Sequence, residues 1–287
     1  MTANYSNIAI AVITYFPKWY KGKLRSLKHT DKVRGDLTIE FIKKATKLGY
    51  RLVASDGKSA KTFRKTLARL PGLILTTRHS PNRSTGRRQA VIKASRMPNV
   101  KAIVLTESEK ISLLDSITKI TKPVLEGKAD MVIPKRNPEL FRKTHPLYMY
   151  ESETEGNKIY NEVLRTNNLL RNREDFDLFF GPRVIANKKQ VVNLFTNKYR
   201  LSISKNAYLD SYFNLEDYSA TQYFPVVLAL KKKFKVESME INFSYSAIHR
   251  QNEEKGNLSH FEEKRRFQKM SILIELLYFL SKINSGK

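Results

Sequence analysis

Short apolar runs separated by helix-length stretches recur through the first half of this chain, and that rhythm restricts the fold more than any other feature. The runs are Asn7 to Tyr15 (NIAIAVITY), Tyr50 to Ser55 (YRLVAS), Leu73 to Thr77 (LILTT), Lys101 to Leu105 (KAIVL) and Ala129 to Ile133. Between them the pattern predicts helices over about 36–49, 60–70, 86–96 and 111–121. Asp36 is the expected N-cap of the first and Gly49 its C-cap, while Pro71-Gly72 stops the second. Strands joined through helices of this length pair in parallel, because the crossover returns the chain to the same end of the sheet. The expectation is therefore an α/β fold with a mixed, mainly parallel sheet flanked by helices. The first strand is apolar nearly throughout, which places it centrally.

The second half is less regular. Helices are expected over about 151–170 and 219–232, a loop and strand over 176–186, and an alternating strand from Val236 to Tyr245. A long helix from about His260 to Ile283 carries Met270, Ile272, Leu273, Leu276, Leu277 and Leu280. No repeat or Gly/Ser-rich linker divides the chain, so 1–287 reads as one domain: a first half 1–135, a second part 136–259 and a C-terminal helix 260–287.

Composition narrows the chemistry. The chain has no cysteine, which excludes disulfides, thiolate zinc sites and cysteine nucleophiles. With 53 Lys and Arg against 27 Asp and Glu, the formal charge is +26. Between Gly57 and Thr106 there is no acid at all, although Arg78, Arg83, Arg87 and Arg88 lie there among other cations. Such a one-sign stretch attracts polyanions: nucleic acid, anionic lipid headgroups or phosphorylated small molecules. Residues 1–15 lack a basic segment ahead of their apolar stretch, and no uncharged run reaches the roughly 18 residues of a membrane helix. A cytoplasmic protein is the expectation.

The Lys101–Leu105 run passes directly into Thr106-Glu107-Ser108-Glu109-Lys110. Two carboxylates one residue apart thus stand where a strand ends and a helix begins. In open α/β sheets the ligand crevice lies at the carboxyl ends of the strands. An acid pair there can hold Mg²⁺ or Mn²⁺ through hard oxygen ligands. Thr106 and Glu109 also have the spacing of a helix capping box.

Four features in order resemble the nucleotide-diphospho-sugar transferases of the GT-A type, and family 2-like glycosyltransferases among them. They are the opening strand ending Ile13-Thr14-Tyr15-Phe16-Pro17; Leu52 to Ser59 (LVASDGKS), similar to that group's strand-end Asp-Gly-x-Ser; Gly86-Arg87-Arg88-Gln89-Ala90, at its helix-opening basic segment; and Thr106-Glu107-Ser108-Glu109, at its Asp-x-Asp motif. The resemblance covers roughly residues 7–135. It implies a GT-A-like domain whose first half binds a nucleotide sugar. Asp56 would contact base or ribose, with Thr14 and Lys58 in the flanking motifs. Arg87 and Arg88 would approach the diphosphate, and Glu107 and Glu109 would hold a divalent cation, Mn²⁺ or Mg²⁺. Both acids are Glu where the group has Asp, which moves each carboxylate outward by about one bond length.

The remainder of the resemblance concerns the second half. Glu216-Asp217 stands like the segment that carries the catalytic base in inverting members, where a carboxylate deprotonates the acceptor hydroxyl; a charge at a helix start is the alternative. His249 is placed like the late histidine that completes the metal site in retaining members. Asp175 to Arg183 (DFDLFFGPR) looks like an acceptor-side loop, with core packing of its rings as the alternative. Glu151-Ser152-Glu153 reads as a helix start. Lys264, Arg265, Arg266 and Lys269 begin the tail helix, a pattern that suits core packing, a homodimer or peripheral contact with an anionic membrane. The implied activity is a hexosyltransferase-like transfer from a nucleotide-diphosphate sugar to a glycan, lipid-linked or small-molecule acceptor. The alternatives are a polyanion- or nucleic-acid-binding protein and an inactive nucleotide-sugar-binding relative.

Overall fold

The strands are β1 Ile8–Thr14, β2 Arg51–Asp56, β3 Leu73–Thr77, β4 Ala102–Leu105, β5 Met131–Arg136, β6 Arg183–Ala186 and β7 Val236–Ile241. They form one sheet in the order β3-β2-β1-β4-β6-β5-β7. β1 pairs in parallel with β2 and β4, β2 with β3, and β5 with β7. β6 runs antiparallel to both β4 and β5. A strand from the second half is thus inserted between two strands of the first, and the halves share one sheet. The architecture is the mixed, mainly parallel α/β arrangement expected from the sequence. The computed structural model describes residues 5–78, 80, 82–170, 173–199 and 217–285.

The helices are α1 Thr30–Lys47, α2 Lys61–Ala68, α3 Arg83–Ser95, α4 Ile117–Leu125, α5 Pro138–Thr144, α6 Leu147–Thr166, α7 Lys189–Thr196, α8 Phe224–Lys231, α9 Ala247–Gln251 and α10 Leu258–Asn284. Strand alternation distributes the core to the two faces of the sheet. Ile8, Ile10 and Val12 pack with Phe41 and Ile42 of α1, Phe63 of α2 and Ile120 of α4. Ala9 and Ala11 point the other way, toward Ala90, Val91 and Ala94 of α3, and that core continues through Leu164, Phe195, Phe224 and Leu276. Small residues on both β1 and α3 let helix and sheet approach closely.

Several boundaries differ from expectation for identifiable reasons. α1 starts at Thr30, not at Asp36, so Asp36 lies inside the helix and is not its cap. Gly35 looks like a breaker, yet it is helical because the Trp19 indole lies against it and a Cβ would collide with that ring. Asp36 instead accepts from Trp19 Nε1 at 2.9 Å and from Lys32 one turn back at 2.8 Å. α6 begins at Leu147, ahead of the acid pair Glu151 and Glu153. The segment after β4 opens as a 3₁₀ turn, Ile111–Ser116, before α4. The stretch expected as one helix from 219 begins with a π turn, Ser219–Tyr223, and only then becomes α8. The short helices α5 and α9 lack a readable period.

α10 packs on α6. Phe267, Met270, Ile274 and Leu277 form an exposed stripe along its outer side. Among the described residues no helix is long and apolar enough to cross a membrane.

Candidate active site

A cavity of roughly 170 Å³ opens at the carboxyl ends of β1, β4 and β5, walled by α3, the π turn before α8, α9 and the first turns of α10. Its floor is the junction after β4. Glu109 is buried, and Arg34 of α1 donates to its Oε1 from Nε at 2.8 Å and from Nη2. Ser108 Oγ lies 3.4 Å from the other oxygen and 2.8 Å from Thr38 Oγ1, which fixes the turn to α1. Burial would lift the Glu109 carboxyl, but the Arg34 charge and its hydrogen bonds hold it below the usual range. Arg34 is correspondingly raised by Glu109 against the effect of its own burial. The capping box is not formed, since the following turn has no side-chain cap.

Glu107 is held differently. Gln222 of the π turn donates to its Oε1 at 3.0 Å, Lys110 Nζ lies 3.7 Å from Oε2, and Oε2 is buried without a hydrogen-bond partner. Gly181 closes over it with φ +98°; a Cβ there would sit 2.8 Å from the carboxylate. Lys110, over the Phe180 ring at 4.5 Å, has its ammonium lowered by burial.

Three arginines of the acid-free stretch form the wall by β3 and α3. Arg83 Nη1 donates to the Tyr218 hydroxyl at 2.7 Å, and Arg87 donates to the Asp217 carbonyl. Both guanidinium groups lie over the Tyr218 ring, at 5.6 and 5.8 Å. Arg78 is 3% exposed, yet its Nε and Nη1 have no hydrogen-bond partner. Burial, reinforced by Arg83, lowers its pKa. Two motif glycines make room for this side chain. A Cβ on Gly86 would lie 2.9 Å from Arg78 Cδ, and one on Gly57 would collide with its guanidinium.

The remaining first-half residues divide. Asp56 is buried, and it accepts from Thr14 Oγ1 at 2.8 Å and from Ser59 through N at 3.0 Å and Oγ at 2.5 Å. Its oxygens thus tie the ends of β1 and β2 to the turn that follows. Lys58 is exposed on that turn, at φ +70°. Arg88 points away from Arg87, as neighbours on a helix must; its Nε donates to the Asn197 carbonyl at 3.2 Å, behind the wall. Asp217 adjoins Tyr218 of the cavity wall and lies within electrostatic reach of Arg78 and Arg87. Glu216 lies outside the described residues.

The opposite wall is a buried ionic network that the sequence did not reveal. Arg136, at the end of β5, donates to both Asp177 oxygens at 2.7 Å and to Glu153 at 2.7 Å, and its guanidinium lies 3.5 Å from the centre of the Phe141 ring. Arg265 of α10 meets the other Glu153 oxygen at 2.9 Å. Asp177 therefore holds the framework, and of the nearby rings Phe179 and Phe180 reach the cavity. His249 stacks on Tyr245 at 4.7 Å, with Nε2 3.5 Å from Glu253. Burial, with help from Arg34 and Lys110, pushes its pKa down to about 3, so it is neutral at ordinary pH.

Glu107, Glu109 and His249 do line one cavity. Glu109 is engaged by Arg34, Glu107 accepts from Gln222 through Oε1 only, and His249 faces Glu253. Among the described residues no three His, Asp or Glu side chains come together as a ligand set. The cations that sequence reasoning did not assign here are Arg34, Arg78, Arg83, Lys110, Arg136, Lys264 and Arg265. For Arg78 and Arg83 the acid-free stretch was a usable signal; Arg34 carried none, standing 75 residues from Glu109.

No protein-family model matches the sequence, and no curated protein matches it. Several solved structures resemble it in backbone course. One is a candidate nucleotide-diphospho-sugar transferase from Desulfovibrio desulfuricans, at 10% identity and TM-score 0.47, covering 94% of this chain and 98% of that one. Another is the M. tuberculosis glucosyl-3-phosphoglycerate synthase, at 9% identity and TM-score 0.47, with 86% and 78% covered. A third is the 4-diphosphocytidyl-2C-methyl-D-erythritol synthase of Anaerococcus prevotii, at 11% identity and TM-score 0.43, with 85% and 95% covered. The chemistry of the cavity rests on this chain's own residues.

Proposed function

We propose that the chain is a glycosyltransferase whose cavity binds the diphosphate of a nucleotide sugar through arginine and lysine side chains. The observation that carries this reading is Arg78, a guanidinium 3% exposed whose Nε and Nη1 lack partners at the cavity wall. A buried donor left unsatisfied costs roughly 1–3 kcal/mol, so a site of this kind is complete only with an anion in it. Arg83 and Arg87 stand on the same wall, and guanidinium groups match phosphate oxygens in pairs.

The acceptor hydroxyl oxygen attacks the anomeric carbon, and the bond from that carbon to the β-phosphate oxygen breaks with its electron pair. The nucleoside diphosphate leaves, and Asp217 takes the hydroxyl proton. Arg78, Arg83 and Arg87 stabilise the charge that grows on the leaving oxygen, a task otherwise given to a metal ion. Glu107 Oε2, buried and without a partner, accepts a hydrogen bond from a sugar hydroxyl.

The test is thermal stability against UDP, GDP, CDP and ADP, each with EDTA and with Mn²⁺. One diphosphate at a hundred times its Kd should add about 2.7 kcal/mol, in EDTA as well as in Mn²⁺, with the corresponding sugar hydrolysed or transferred. Stabilisation that needs Mn²⁺ would refute the arginine-held diphosphate. Silence toward all four, with saturable oligonucleotide binding, would favour the polyanion-binding alternative.

A further inference from the structure

The connection from β1 to α1, residues 17–29, forms a basic tip at the end of the sheet where the cavity opens. It follows Tyr15 and Phe16 of the cavity wall and leads to Arg34. It carries Lys18, Lys21, Lys23, Arg25 and Lys28, all exposed, and among the described residues none of the five makes an ion pair. Residues 1–30 contain no acid. The elements packed against the tip do not cancel its charge. On α2, the first turns of α1, the turn at 252–256 and the first two turns of α10, Lys61, Lys65, Lys255 and Lys264 stand against Asp31, Glu253, Glu262 and Glu263. The other charges there are joined in ion pairs. Four against four leaves the five loop cations in excess. The tip is also held in shape. Lys18 N donates to Asp31 at 2.7 Å, Arg25 N donates to the Tyr20 hydroxyl at 3.0 Å, and that hydroxyl lies 2.8 Å from His29 Nδ1.

Apolar side chains stand on both flanks. Tyr15, 52% exposed, precedes the tip. Leu258, 43% exposed, opens α10, where Asn252 donates to the Leu27 carbonyl and Asn257 to that of Lys28 at 3.5 Å. Within the tip neither ring is free to stack on a base. Trp19 is buried edge-on to Phe63, and Tyr20 lies between His29 and the Arg25 guanidinium at 4.8 Å. Single-stranded nucleic acid is gripped by such stacking, and a duplex by an element laid in its groove. A bilayer with anionic headgroups needs only clustered cations with apolar side chains beside them. The tail helix suits it less, since Arg265 and Lys269 are paired with Glu153 and Glu155. We propose that residues 17–29 dock this end of the molecule on an anionic membrane surface, with Tyr15 and Leu258 against the headgroups and the cavity mouth turned toward the lipid. This contact stands whether or not the cavity transfers a sugar.

The test is sedimentation of the full chain with vesicles of phosphatidylcholine, alone or with phosphatidylserine at about one lipid in three, in physiological salt. The phosphatidylserine vesicles should carry the protein down and the phosphatidylcholine vesicles should not. One cation near such a surface is worth about fivefold in partition. Lys21→Gln, Lys23→Gln and Arg25→Gln together should therefore weaken binding roughly a hundredfold, with the melting temperature unchanged because all three are exposed. The same charge removed ahead of β7, at the opposite end of the sheet, by Lys232→Gln, Lys233→Gln and Lys235→Gln should weaken it by less than about threefold. Emission of the Leu258→Trp variant should shift to the blue on the vesicles, whereas Trp19, already buried, adds no such shift. No binding to phosphatidylserine, equal losses in the two triple variants, or emission that stays fixed while the protein sediments would each overturn the proposal. Oligonucleotide binding that is lost in the loop variant, with vesicles left unbound, would overturn it in favour of nucleic acid.

Discussion

Arg78→Met should make the ligand-free protein more stable while removing its response to nucleoside diphosphate. Nε and Nη1 are buried without partners, and at roughly 1–3 kcal/mol for each orphaned donor the free protein carries about 2–6 kcal/mol of unmet desolvation. Two interactions offset part of this. Asp56 attracts the charge, and the Tyr15 ring lies 5.7 Å from the guanidinium, worth about 0.5–1 kcal/mol where exposed. Methionine keeps the aliphatic stem beside Gly57 and Gly86 and adapts to the vacated space. The expected net gain is about 1–3 kcal/mol, or on the order of 2–5 °C in Tm for a chain of this size. Scanning calorimetry of both proteins with and without the diphosphate measures both effects. A variant that melts lower than wild type and still gains stability from the diphosphate would refute the reasoning, because Arg78 would then be satisfied within the protein.

The other predictions concern framework and pH. Asp177→Leu strips the bidentate partner from buried Arg136; leaving that cation half-paired should cost about 3–5 kcal/mol, read from urea midpoints. Milder loss, below about 1 kcal/mol, would mean that water replaces the carboxylate. His249 is depressed to about 3 and His145 is also lowered, both chiefly by burial. The native state therefore binds fewer protons than the unfolded chain: the stability is fully present above the unfolded value of 6.5 and is lost as pH falls below it. Between pH 6.5 and 5 each histidine should remove about 2 kcal/mol, and His249→Gln should make the slope shallower; an unchanged slope would place the titration elsewhere. Gly181→Ala combines a φ of +98° with a Cβ 2.8 Å from Glu107, so it should cost roughly 1–3 kcal/mol and weaken ligand binding. Stability and binding equal to wild type would show that the Glu107 carboxylate moves freely.

The strands were legible because their signal is local. Five apolar, β-branched runs of β-strand length bounded by polar residues became β1 to β5 within a few residues. Helix starts were less so, and α1 shows why. Gly35 and Asp36 are a breaker and a cap in isolation, yet Trp19 needs the missing Cβ of one and the carboxylate of the other. The same contrast holds in the cavity. The strand-end position of Glu107 and Glu109 could be read from sequence, but their partners could not. Arg34 and Gln222 arrive from distant elements, and Glu153, read as a helix start, is an arm of a buried network with Arg136 and Arg265.

The sequence by itself determined the α/β class, the parallel first half, the strand-end location of the crevice and the density of cations around it. Those follow from periodicity and composition, which act over a turn or a strand. Only the tertiary structure decided that β6 inserts between β4 and β5, that Asp56 ties the framework, and that the acid pair faces protein cations. It also decided that Arg78 is buried at the cavity wall with Nε and Nη1 unpartnered among the described residues. The reason is that pairing of charges depends on which side chains meet across the sheet, and residues 75 or more positions apart leave no periodic trace of that meeting.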